Sequence, residues 1–377
     1  MKVTDRKPIR LHLDTSDYAV MYGAVPGTAI AKVRDTLCDM AQNGKLQIGL
    51  SYHVVFELLQ KAEPKYRDDR LARARLLVQL CGKNAFPYPT DLGQGYKFST
   101  DGLWIPRIEV KEFEIENLVR RAKEAIARQL DLSRHERRSF ANRRNFVNWV
   151  KNDPKRLLRL PWPVPFPAFV ESGDLRLFIL GEIRRKEANA KLQFYLTDPV
   201  TVYNTWFDYY GMDNPVVDRR DQMAAQMVMM LDELKIMLDH HAALRAEITT
   251  ALSKKTGHTP EERKKLTALE REVKQFGREI LSPEDLTSNA PQWREFFGAD
   301  SALIGAQIFY AFHHEKRDFK KSDAIDLIHA LYLPHTDLWR GDKAFSTLLT
   351  NNKVNCCERI VSSLLDLPGR IETLLAL

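Results

Sequence analysis

Ile9-Arg10-Leu11-His12-Leu13-Asp14-Thr15-Ser16-Asp17 alternates apolar and polar residues and ends on an acid, with a second acid three residues on. Such alternation predicts a strand, which places Asp14 at the strand's end and Asp17 in the turn beyond. Near the other end of the chain, SDAIDLIHALYLPHTDLWRGDKAF (322–345) sets Asp323 and Asp326 one helical turn apart and carries Asp342 in a turn after Leu338-Trp339. Acids at strand ends and at a helix N-terminus, with few histidines beside them, suit a hard oxygen-liganded ion such as Mg²⁺ or Mn²⁺ better than zinc. Metal-assisted phosphodiester hydrolysis is the leading expectation.

Outward from the first stretch, the pattern predicts a strand over 9–14, a helix over 27–43 ending near Asn43-Gly44, and a short strand over 46–51. A helix follows from Tyr52 to Ala62, stopped near Pro64, and another from Asp68 to Leu80 with Leu71, Ala74, Leu77 and Val78 on its apolar face. Strand-helix-strand-helix order predicts an α/β fold, a parallel sheet with helices packed on it. From Pro87 to Gly102 the pattern dissolves into Pro, Gly, Thr and Ser, a boundary. The next 180 or so residues read as helical, interrupted by the proline-rich WPVPFPAF at 162–169. Two long helices, Arg219 to Ser253 and Pro260 to Leu281, joined by KKTGHT, predict an antiparallel hairpin. Strand-helix alternation then resumes: a helix over 322–332 capped by Ser322, a strand over 336–340, and helix over 344–377 apart from Asn351-Asn352. The expected organisation is one α/β domain in two parts, 1–95 and 290–377, interrupted by an all-helical insertion over 96–289.

The 377 residues are 44% apolar and 28% charged, which excludes a disordered chain. The four cysteines, Cys38, Cys81, Cys356 and Cys357, have no CxxC spacing and indicate neither a disulfide framework nor a zinc knuckle. No signal-peptide core and no apolar window of about 20 residues occurs, so the expectation is a soluble cytoplasmic protein without a membrane partner. Net charge is +7 but unevenly spread: residues 117–160 hold thirteen Lys or Arg against four acids, with Phe140, Phe146 and Trp149 interleaved. Such a stripe suits a polyanion, because each neutralised phosphate releases condensed counterions. Arg137, Arg138, Arg143, Arg144 and Lys151 are its candidate contacts; the plainer reading is a solvated helix surface.

The acids in their order carry a resemblance. Asp14 in LHLDTSDY, Glu57 in SYHVVFELL, Asp326 (or Asp323) in SDAIDLIHALYL and Asp342 in DLWRGDKAF resemble the motif of the PIN and PIN-like nuclease family. That motif is an Asp ending the first strand, a Glu opening a helix after the second, an Asp at the start of a later helix, and a final Asp after the following strand. The resemblance covers residues 5–95 and 290–350; the helical middle lies outside it. The DxxH spacing of Asp326 and His329, ahead of Leu333-Pro334, resembles larger PIN-like relatives and favours Asp326 over Asp323. Thr15 and Ser16 fall where the family has a small polar residue near its metal site. The resemblance implies a site of Asp14, Glu57, Asp326 and Asp342 holding Mg²⁺ or Mn²⁺, and hydrolysis leaving a 5′-phosphate and a 3′-hydroxyl, on RNA in preference to DNA.

Bland readings stand beside these. Asp14 can cap a turn, and Asp323 is the acid expected in a helix's first turn, where the dipole favours it. Glu57, among Val54, Val55 and Leu58, needs a partner that a metal would supply. Asp17 and Asp337 read as turn or outer residues, His240-His241, His313-His314 and His329 show no consistent ligand pattern, and Met223, Met227, Met230 and Met237 read as core. Arg340 and Lys343 flank Asp342 and are candidate phosphate contacts. The functional expectation is an endoribonuclease, with a toxin or defence effector as its setting. The alternatives are a degenerate nucleic-acid-binding scaffold whose 219–281 hairpin mediates oligomerisation or partner docking, and a DNA-directed single-strand or flap nuclease.

Overall fold

The computed structural model describes residues 7–58, 63–102, 108–127, 133–159, 166–202, 215–253, 258–281, 283, 294–295 and 297–377. The described chain is mostly helix around a small sheet, so the α/β reading holds at that coarse level. It begins with β1 (Ile9–His12), α1 (Thr15–Tyr22), α2 (Ala29–Gln42), β2 (Leu46–Gly49), α3 (Tyr52–Leu58) and α4 (Arg67–Cys81). Thr28 caps α2, its hydroxyl accepting from the Ala31 amide at 3.3 Å. Gly82, at φ 56°, ends α4 in a backbone conformation that side chains disfavour. The expected continuation of α3 through 59–62 lies outside the described residues. On α4, Ala74 and Leu77 are buried as expected but Val78 is 38% exposed; Leu76, Leu80 and Cys81 turn inward instead.

Next come the short α5 (Pro89–Leu92), α6 (Ile115–Ala127), α7 (Arg134–Ala141), α8 (Arg143–Asn152), α9 (Pro167–Glu171), α10 (Asp174–Leu180) and α11 (Arg185–Thr197). Of the proline-rich stretch, 160–165 lie outside the described residues, and Pro167 opens α9 where its missing N–H costs nothing. The long helices are α12 (Pro215–Ser253) and α13 (Pro260–Leu281), close to the expected spans; most of their connecting turn lies outside the described residues. The chain closes with α14 (Ala299–His314), α15 (Lys321–Ala330), β3 (Leu338–Trp339), α16 (Lys343–Asn351) and α17 (Leu367–Ala376). Two expectations are corrected here. The N-cap of α15 is Lys320, not Ser322, and residues 352–366 form turns with short 3-10 segments at Cys357–Arg359 and Leu364–Asp366 instead of continuous helix.

β1 and β3 belong to one compact unit and β2 to the other. β3 runs parallel to β1, with Leu11 opposite Leu338 and His12 opposite Trp339. The chain separates into two compact units, one of residues 1–14, 89–97 and 219–377, the other of residues 15–88 and 98–218. This division runs differently from the boundaries read near 95 and 289, because α1, α2 and α4 pack on one another and group with the helical middle.

The first unit's core joins Leu231 and Leu238 of α12, one heptad apart, to Ile304, Ile308 and Phe312 of α14, Leu327 of α15, Trp339 of β3 and Phe345 of α16. Met227 packs against it, in line with a core role; the side chains of Met223, Met230 and Met237 lie outside the described residues. Arg10 on β1 donates its amide at 2.8 Å and its guanidinium to the Asp337 carboxylate, which leads into β3. The second unit buries Tyr18, Met21, Leu37, Ile48, Val54 and Leu77, and in its helical part Phe113, Phe146, Phe166 and Phe169. Phe113 and Phe166 meet edge to face at 4.5 Å.

Candidate metal centre

The first unit's site grows from the exit of β1. Ile9, Leu11 and Leu13 are buried, as the alternation requires, but so is His12, fully. A strand covered on both faces turns its polar positions into core positions, and His12 points into an aromatic enclosure. Its ring stacks on Tyr332 at 5.7 Å and on Trp339 at 6.0 Å. His12 Nδ1 lies 3.4 Å from the Arg340 carbonyl oxygen, and Nε2 lies 3.3 Å from Nδ1 of His329 on α15. Burial, then the neighbouring His329, hold the His12 pKa well below the ordinary histidine range, so the ring is neutral. The Trp339 indole N–H donates at 3.1 Å to the His329 carbonyl, tying β3 to the end of α15.

Asp14 follows the strand and is 8% exposed; His329 is 1% exposed. Each offers a metal-ligating atom, and these atoms lie within 4.8 Å of each other. The pair therefore unites the strand end singled out at the N-terminus with a histidine more than 300 residues away. Asp326 lies one turn before His329 on α15 and is half-buried. Asp323 is buried and structural: it accepts from the Arg317 guanidinium at 2.6 Å and from the Lys320 amide at 2.7 Å at the start of its helix. Asp342 is exposed and caps α16 by accepting from the Phe345 amide. The ligand-competent group among the described residues includes none of Asp323, Asp326 and Asp342. Arg340 donates to the Val361 carbonyl at 3.0 Å, a contact inside the fold, whereas Lys343 is exposed.

In the second unit, Glu57 sits half-buried on α3. The hydroxyl of Thr15, the residue peptide-bonded to Asp14, donates to the Glu57 carboxylate. Asp17, on α1, is buried.

The basic stretch of the second unit is carried by α6, α7, α8 and the 3-10 segment Pro154–Arg159. Arg137, Arg138, Arg144 and Lys151 are exposed; the side chain of Arg143 lies outside the described residues. Part of the charge is neutralised locally, Arg121 by Glu112 at 2.8 Å and Arg120 by Glu124 at 3.2 Å. Phe146 and Trp149, expected to interleave with the cations at the surface, are buried and stack on each other at 5.7 Å, because they fall on the apolar side of α8. The side chain of Phe140 lies outside the described residues.

His329 is the member that sequence reasoning passed over. Its signal was the DxxH spacing, which sets Asp326 and His329 on one helix face, but nothing in the sequence joined that face to Asp14. No protein-family model, no curated protein and no solved structure matches the chain.

Proposed function

We propose that the protein is a metal-dependent nuclease of PIN-like type acting on RNA, with Asp14 and His329 holding one divalent cation. The observation behind this reading is the Asp14–His329 pair, two buried side chains of ligating type whose donor atoms lie within 4.8 Å. The donor set fits a cation: a carboxylate beside an imidazole is a common ligand set. Carboxylates suit Mg²⁺ and Mn²⁺, and the imidazole moves the preference toward Mn²⁺.

When bound, such an ion acidifies a water and neutralises charge on the phosphodiester. The residues supply the rest. Asp14 sets a carboxylate oxygen within 4.8 Å of the ligating nitrogen of His329. Burial of His329 keeps bulk water from its ring. Arg137, Arg138, Arg144 and Lys151 draw a polyanionic strand to the protein without reading its sequence. The test is cleavage of labelled single-stranded RNA and DNA, with and without Mn²⁺ or Mg²⁺, by wild type, Asp14→Ala and His329→Ala. The reading requires metal-dependent cleavage, stronger on RNA, that falls by more than ~100-fold in each variant, since even outer-shell changes cost about 10–100-fold. Metal-independent cleavage, or cleavage untouched by both substitutions, refutes it.

A second reading, a non-catalytic scaffold, is favoured by one observation. Met229 and Ile236 lie one heptad apart on α12 and are 60% and 69% exposed. Under that reading wild type binds RNA in a salt-sensitive way, cleaves nothing, and sediments as an oligomer that Ile236→Lys disperses.

A further inference from the structure

We propose that His12 is a positioning residue: it holds the His329 imidazole in the tautomer whose Nε2 lone pair is presented for a cation. The inference deepens the metal-centre reading above and rests on it. The Arg340 carbonyl oxygen can only accept, so the His12 nitrogen beside it, Nδ1 at 3.4 Å, carries the proton. His12 is fully buried between the Tyr332 and Trp339 rings, an apolar enclosure that favours an imidazole with a single proton, so its second nitrogen, Nε2, is an acceptor. The atom 3.3 Å from that acceptor is His329 Nδ1, which must therefore be the donor. A neutral imidazole protonated at Nδ1 has its lone pair on Nε2, the form a metal ligand needs. One backbone carbonyl thus sets two tautomers in sequence.

The surroundings keep this chain of hydrogen bonds in register. Tyr332 and Trp339 stack on the His12 ring with interplanar angles of 21° and 14°, which fixes the plane in which its nitrogens point. The Trp339 indole holds the His329 backbone from the other side, at 3.1 Å from the carbonyl oxygen. The pairing of His12 with Trp339 across β1 and β3 makes the device a product of strand register: a one-residue slip would carry His12 away from both partners. Metal-ligating histidines generally donate their other N–H to a carboxylate, carbonyl or water; here the acceptor is a second histidine.

The first measurement is ¹⁵N NMR of the imidazoles in the metal-free full chain at neutral pH. Both His12 and His329 are expected to carry the proton on Nδ1, and a His329 protonated on Nε2 overturns the proposal. Calorimetric titration with Mn²⁺ then compares wild type, His12→Phe and His12→Gln. Phenylalanine keeps the stacked ring and removes the acceptor, so Mn²⁺ affinity falls by about 10–100-fold and the His329 proton moves to Nε2. Glutamine offers an amide oxygen to His329 Nδ1 and restores most of the affinity. Unchanged affinity in His12→Phe overturns the positioning role while leaving the metal centre standing. A wild type that binds no Mn²⁺ but shows both protons on Nδ1 refutes the metal centre and leaves the tautomer assignment intact. If His12→Phe does not fold, the wild-type NMR and the glutamine variant still decide.

Discussion

Asp323 and Asp342 both carry acids of the expected motif, and both have helix work that accounts for them. Asp323 is 2% exposed and satisfies Arg317 and the first turn of α15. Asp323→Ala is therefore expected to lower stability by about 2 kcal/mol, the scale of a lost charge-assisted hydrogen bond, with Mn²⁺ affinity unchanged; urea denaturation and calorimetry read the two effects separately. Asp342→Ala removes an N-cap and is expected to cost about 1 kcal/mol by the same denaturation measurement. His335 gives the fold an acid-sensitive point. Burial pushes its pKa below the usual histidine value, and its Nε2 lies 3.0 Å from the Ser301 hydroxyl. The unfolded chain takes up this proton as pH falls through about 6.5 while the folded chain resists. Stability is thus fully present above that pH and declines below it, by up to about 1.4 kcal/mol per pH unit until the folded-state pKa is reached. His335→Gln should flatten that slope in denaturation curves recorded on either side of pH 6.5.

At the scale of elements, the strand β3 is only two residues long yet anchors both sides of the candidate centre. Gly341 lies just beyond it, and a Cβ there would run into the Trp339 ring. Gly341→Ala should displace that indole, with loss of the His12 stack and the bond to His329, and cost on the order of 1–3 kcal/mol as an overpacked core does; near-UV circular dichroism would report the altered tryptophan. The long, strongly patterned pieces were the legible ones. α4, α12 and α13 fall within a few residues of the expected spans because apolar spacing and flanking Gly or Pro mark them locally. The 352–366 segment was not legible as turns, since its apolar residues, Val354, Ile360, Val361, Leu364 and Leu365, gave no local mark of a helix end. His12 was hidden for a related reason: alternation assigns it to solvent, and only the cover on both faces of β1 buries it. Asp14 was legible at a strand end, and Glu57 on the helix after β2. His329 required knowledge that α15 returns to β1, which no local pattern carries.

Among the described residues no helix is long and apolar enough to cross a membrane, and the molecule's net charge of +7 gathers on the second unit's helices. Replacing Arg137, Arg138, Arg144 and Lys151 by alanine should weaken RNA binding across sequences alike. The slope of log affinity against log salt should shrink by about 0.7 for each phosphate no longer neutralised; an unchanged slope would return these side chains to the role of a solvated surface. The buried aromatics Phe146 and Trp149 are withheld from base stacking, so no preference among bases is expected from this face. The central question is whether Asp14 and His329 meet a cation. The measurement that asks this directly is anomalous diffraction from crystals of the full chain soaked in Mn²⁺. The expected result is one strong peak in contact with the Asp14 carboxylate and His329 Nε2, absent from crystals of Asp14→Ala; a peak elsewhere, or none at these two side chains, contradicts the account.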